Sequence, residues 1–243
     1  MATSIRLAKD LANALGIPAP TVLHILGGLR SAGLIVSFGR GPSATAMSKA
    51  DASALLVGLA SGAAASHVGA LTKKLLAMPL RYAMRPKIEG FGKLRNARHR
   101  FYNFTETHRF SQGLGLLLDA QYDEPELDDD GYPVESSPFD WLSRLTVTVG
   151  TDARRSGGFA VIKSGSASGV IANVYGTWAA VEPEDPREID PARLFDPKIG
   201  ALVAMHIGGT ALRIAVESLA EPVKTRRART ARVAGVNRRV GRR

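Results

Sequence analysis

Apolar positions in the first quarter of the chain follow a helical period. Leu7, Ala8, Leu11 and Ala12 fall on one face of a helix that Gly16 stops. Ile17-Pro18-Ala19-Pro20-Thr21 turns the chain into a second helix, in which Val22, Ile25, Leu26 and Leu29 recur as the buried stripe. Pro20 suits a first helical position, where its missing N–H has no intrahelical partner to lose. Arg30-Ser31-Ala32-Gly33-Leu34-Ile35 closes that helix at Gly33 and opens a strand through Phe38. Gly39-Arg40-Gly41-Pro42-Ser43 is turn chemistry, and Ala44 to Met47 returns as a second strand. Ser48 and Asp51 are spaced as a helix cap, opening a third helix that runs to about Leu59.

The period is also helical at Val68, Leu71, Leu75 and Leu76, with Lys73-Lys74 on the opposite face and Pro79 kinking or restarting the run. After Asp140 the period changes to two. Leu145-Thr146-Val147-Thr148-Val149 alternates as a strand, and Arg154 to Gly158 reads as a hairpin turn. Phe159 to Ile162, Gly169 to Tyr175 and Ala201 to Ile207 supply further strands, with the turn-rich Ser164 to Ser168 between the first two. Asp190-Pro191 reads as the start of a short helix, and Thr210 as the cap of a longer one carrying Leu212, Ile214, Ala215 and Leu219. The expected fold class is α+β.

Two helices meeting at a sharp turn, followed by a two-stranded wing, is the winged helix-turn-helix pattern, which offers its second helix to a DNA major groove. The residues Leu11-Ala12…Leu15-Gly16…Thr21-Val22…Ile25-Leu26…Leu29…Gly33-Leu34-Ile35 resemble winged-helix regulators of the MarR-like and prophage type. The resemblance covers the N-terminal quarter only. It implies a DNA-binding transcriptional regulator that is a homo-oligomer, with double-stranded DNA as partner. The small side chain of Ala12 admits close helix packing, and Gly16 permits a positive φ.

With the second helix placed this way, Thr21, Leu23, His24, Gly27, Gly28 and Ser31 face a groove. Thr21, His24 and Ser31 are the hydrogen-bonding members, and Arg, Asn and Gln are missing from the set. The paired glycines allow close approach to a phosphate or to another helix. Arg40 at the wing tip is the expected minor-groove or phosphate contact, and Arg6, Lys9, Arg30 and Lys49 are expected to hold the DNA backbone.

Charge sharpens this. The 243 residues carry 32 Lys and Arg against 22 Asp and Glu, a net charge of +10 that favours an anionic partner. Residues 73 to 109 are basic and interleaved with Tyr82, Phe91, Phe101, Tyr102, Phe104 and Phe110, a pattern that can stack bases and contact phosphates; the favoured reading is an amphipathic helix pair serving as a dimer interface. Asp119 to Asp140 is acidic and reads as a solvated linker. From Lys224 onward Arg226, Arg227, Arg229, Arg232, Arg238, Arg239, Arg242 and Arg243 make a basic tail with no core-forming content, expected to be disordered and to bind phosphate without sequence preference. The expected layout is therefore a winged helix over 1–62, a helical dimerisation segment over 63–118, the acidic linker over 119–140, an α+β interaction domain over 141–220 and the tail over 221–243.

Catalytic chemistry finds little footing. Gly165-Ser166-Ala167-Ser168-Gly169 offsets both serines from the centre of a nucleophile elbow, and no Gly-rich loop ends in Gly-Lys-Ser/Thr. His206 falls within a strand, where a buried or hydrogen-bonded role is expected rather than a catalytic one. No cofactor and no metal are expected: cysteine is absent, His99 and His108 lack a carboxylate at ligand spacing, and Asp128-Asp129-Asp130-Gly131 lacks the spacing of a calcium loop. No secretory leader opens the sequence, and Ala52 to Ala70 is too rich in Ala, Gly and Ser for a strong membrane span. A cytoplasmic, non-enzymatic protein is expected, with a protein partner at the C-terminal sheet. Two alternatives stand beside regulation: a phage-type packaging factor similar to a terminase small subunit, or another structural DNA-binding protein, and a protein-interaction adaptor.

Overall fold

The computed structural model describes residues 3–36, 46–84, 108–119, 142, 145–152, 157–166, 169–177 and 202–220. Helix α1 (Ser4–Leu15) is capped by the Thr3 side chain, which accepts from the Arg6 amide. It ends at Gly16, whose φ of 64° lets its own amide and that of Ile17 satisfy the last carbonyls, including Ala12. Three residues later α2 (Ala19–Ser31) begins, with Pro20 in its first turn. It closes the same way at Gly33, φ 70°, with Leu34 N donating to Leu29 O at 3.0 Å and Gly33 N to Arg30 O at 2.9 Å. Leu34 to Val36, the expected start of the first wing strand, are not in a strand; the part of the expected wing over 37–45 lies outside the described residues. On its far side Ala46 forms an antiparallel bridge with Thr3.

Helix α3 (Lys49–Ala60) opens with the expected cap. Asp51 accepts from Ser48 N at 2.9 Å and Ser48 Oγ at 2.7 Å, while Ser48 Oγ accepts from the Asp51 amide. From Asp51 to Ala60 every residue of α3 is buried. A helix sealed all round belongs at the centre of a fold. Accordingly α3 packs on α2, on α4 (Ala65–Leu76), on α5 (Phe110–Leu118) and on the strands β2 (Leu145–Asp152) and β5 (Leu202–Gly208).

One antiparallel sheet carries β1 (Leu80–Met84), β4 (Gly169–Gly176), β3 (Gly158–Ser166), β2 and β5, in that spatial order. Its last four strands match the expected C-terminal sheet. The fifth corrects the sequence reading: Leu80–Met84, expected to be helical, runs beside β4 as an edge strand. Pro79 stops α4, and Leu80 N donates to His108 O at 3.0 Å while Phe110 N donates to Met78 O at 2.8 Å, so this junction is held in extended pairing. Helix α6 (Gly209–Ala220) follows β5 directly and packs on α1, α5, β2 and β5.

Three layers result: the sheet, then α3, α4, α5 and α6, then α1 and α2 outermost. The buried apolar cluster is continuous from Leu7 in α1 through Leu55, Leu114 and Val147 to Leu219 in α6. Within it Tyr175 of β4 is fully buried, with its hydroxyl 3.0 Å from His108 Nε2 and its ring tilted on Phe110. Among the described residues no single helix is long and apolar enough to cross a membrane.

Candidate nucleic-acid interface

On α2, Val22, Ile25, Leu26 and Leu29 face the core, leaving Pro20, His24, Gly27 and Ser31 along the opposite line at spacings of four, three and four. Thr21 and Leu23 flank this line, and all six are exposed. The side chains read from sequence as groove-facing therefore do share one outward surface, with Gly28 the exception.

Gly28 faces a helix rather than solvent. A Cβ built there would meet Ala65 O at 2.3 Å and Val68 Cγ1 at 2.8 Å, whereas one at Gly27 would meet nothing within 4 Å. Gly69 of α4 answers it, since a Cβ there would sit 2.2 Å from the Ala32 Cβ. These two glycines set α4 hard against one flank of α2.

Arg30 occupies the other flank. It is half-buried, and one terminal nitrogen donates to Ser4 Oγ at the start of α1. Its Nε is buried with no hydrogen-bond partner among the described residues. The guanidinium thus ties α1 to α2. Lys49 pairs with Asp119, joining the start of α3 to the end of α5. Both are candidates for backbone contact by sequence, and both have an intramolecular partner here. Exposed Lys9 and Asn13 line α1, while Arg6 lies 3.8 Å from Asp10. Arg40, Arg226, Arg227 and Arg229 lie outside the described residues, as do His99, the acidic segment beyond Asp119 and the tail.

A charge signal in the sequence bears on this surface. Between Asp10 and Glu89 the single carboxylate is Asp51, against eight Lys and Arg. Asp51 is 5% exposed, and its side chain is committed to the α3 cap and to Val36 N at 3.0 Å. From α2 through α4 the described surface therefore shows no negative side chain. The spacing of acids is readable without any structure; that the one remaining acid is sealed is not.

Other polar pairs hold the fold. Thr148 Oγ1 and His206 Nδ1 lie 2.8 Å apart, directly opposite in the β2–β5 register. His206 is hydrogen-bonded, as expected for a strand histidine, and exposed rather than buried. Among the described residues no cluster of three or more His, Cys, Asp or Glu is placed to hold a metal ion.

No family model matches the chain, and neither a curated protein nor a solved structure does. Function is therefore read from this chain's own residues.

Proposed function

We propose that this protein is a DNA-binding transcriptional regulator that sets α2 in the major groove of duplex DNA. The observation that carries the reading is the α1–Gly16–α2 unit, which turns an exposed line of α2 outward on a surface with no exposed carboxylate among the described residues from α2 through α4. The antiparallel bridge between Thr3 and Ala46 supports a winged arrangement, since it brings the chain back beside the start of α1 after the segment that holds Arg40.

In this reading Thr21, His24 and Ser31 hydrogen-bond in the groove, Leu23 offers apolar contact to a thymine methyl, and Arg40 and the Arg-rich tail hold phosphates. Without Arg, Asn or Gln on the exposed line, sequence preference comes from DNA shape and from the half-site spacing of a dimer.

Fluorescence anisotropy against genomic and random duplexes at several salt concentrations tests this. Binding should weaken steeply with salt. His24→Ala with Ser31→Ala should narrow the difference between preferred and random DNA while leaving the salt slope in place. Arg40→Ala should lower the slope by about 0.9 for each phosphate that Arg40 neutralises. No binding to any duplex at low salt would overturn the reading and favour the protein-interaction adaptor. Enrichment of promoter fragments separates regulation from packaging.

A further inference from the structure

We infer that α4 is a second DNA-contacting helix, whose Lys73 and Lys74 hold the phosphate backbone beside the groove occupied by α2. The inference rests on the DNA-binding reading above and adds to it an element that sequence alone assigned to dimerisation.

Gly28 and Ala32 of α2 lie against Ala65 and Gly69 of α4, so both helices advance in the same direction along their contact. Gly69 marks the edge of α4 that faces α2. Lys73 is four residues on, on that same edge, about 6 Å further along the axis. That places it just past the end of α2, where the chain leaves toward Arg40. Ser66, three residues before Gly69, borders the same edge, and Ser66, Lys73 and Lys74 are all exposed. Neither lysine makes an ion pair with a described residue.

Dimensions then identify the occupant. A major groove about 12 Å wide is filled by one helix about 10–12 Å across. A neighbour packed with its axis roughly 8–10 Å to the side cannot enter the groove as well. Its solvent-exposed face lies over the groove wall, where the phosphates run. On α4 that face carries the two exposed ammonium groups, Lys73 on the side toward α2 and Lys74 further out, and α4 has no acidic residue to repel a polyanion. On the opposite flank, exposed Lys9 of α1 would meet the other strand. The complementary partner is duplex DNA spanning α1, α2 and α4.

The test uses the full-length protein and a labelled mixed-sequence duplex of about 20 base pairs, roughly two helical turns. Lys73→Gln with Lys74→Gln should lower the slope of log K against log salt by up to about 1.8, or about 0.9 per lysine. Lys73→Arg with Lys74→Arg should restore the parent slope, and Lys163→Gln on strand β3 should leave it unaltered. An unchanged slope in the double glutamine variant, with the parent still binding, would overturn the role of α4 and leave the role of α2 standing. An equal loss in the arginine or the Lys163→Gln variant would overturn it too, since contact charge would not be the cause. A parent that binds no duplex at low salt overturns the DNA-binding reading itself, and this inference with it.

Discussion

Adjacent glycines in α2 should respond in opposite directions to the same substitution. At Gly27 a methyl group meets nothing within 4 Å, so Gly27→Ala keeps the helix and removes backbone freedom from the unfolded chain. That should stabilise the protein by about 0.5–1 kcal/mol. At Gly28 the same methyl would lie 2.3 Å from Ala65 O, against an ordinary contact of at least 3.4 Å, so α2 and α4 must separate by about 1 Å. The blocking atom is backbone and cannot rotate away. Overpacking of this kind costs roughly 1–3 kcal/mol. Net of about 1 kcal/mol of recovered helix propensity, Gly28→Ala should destabilise by up to about 2 kcal/mol. For a chain of this size the expected shifts are about 1–4 °C upward for Gly27→Ala and up to about 8 °C downward for Gly28→Ala. Thermal unfolding followed by circular dichroism reads both. A Gly28→Ala variant melting with or above Gly27→Ala would refute the close α2–α4 crossing, and with it the placement of Lys73 beside the groove.

Gly69→Ala should also destabilise, by up to about 2 kcal/mol, and because its clash is with the Ala32 Cβ, Ala32→Gly in the same chain should return most of the loss; a double-mutant cycle in urea measures the coupling. Asp51→Ala removes the acceptor for Ser48 N, Ser48 Oγ and Val36 N, at a cost of about 2–4 kcal/mol read from the urea midpoint, with Asp51→Asn losing less. Arg30→Ala should cost about 1–2 kcal/mol of stability by freeing α1 from α2 while leaving the salt slope of DNA binding unchanged; a slope lowered by about 0.9 would instead make Arg30 a phosphate contact.

Much of the local structure could be read from the sequence because it is encoded locally. The apolar stripe of α2, the Ser48–Asp51 cap and the alternation through Leu145 to Val149 each depend on neighbours a few residues away. Leu80–Met84 was hidden because its alternation is only five residues long and follows a helix, and its strand state is set by β4, nearly a hundred residues later. The low-charge run that forms α3 reads as a capped helix and as a weak membrane span, and neither reading shows that it is buried on every side. Its small side chains are explained by the five elements that close around it, which no window on the sequence displays. Gly27 and Gly28 look alike as letters, and the contact of Gly28 with Ala65 and Val68 of α4 separates them. Of the candidate surface, the outward residues of α2 were legible from periodicity, whereas the binding partners of Arg30 and Lys49 were not.

The packing of α1 on α6 also bears on the order in which the chain can fold. Helix α1 finds one of its partners only when residues 209–220 emerge from the ribosome, roughly two hundred residues after it. At a synthesis rate of about 5–20 residues per second, α1 waits on the order of ten seconds or more with part of its apolar face uncovered. A nascent chain stalled before Gly209 should therefore remain protease-sensitive at Ser4–Leu15, and emergence of α6 should protect it.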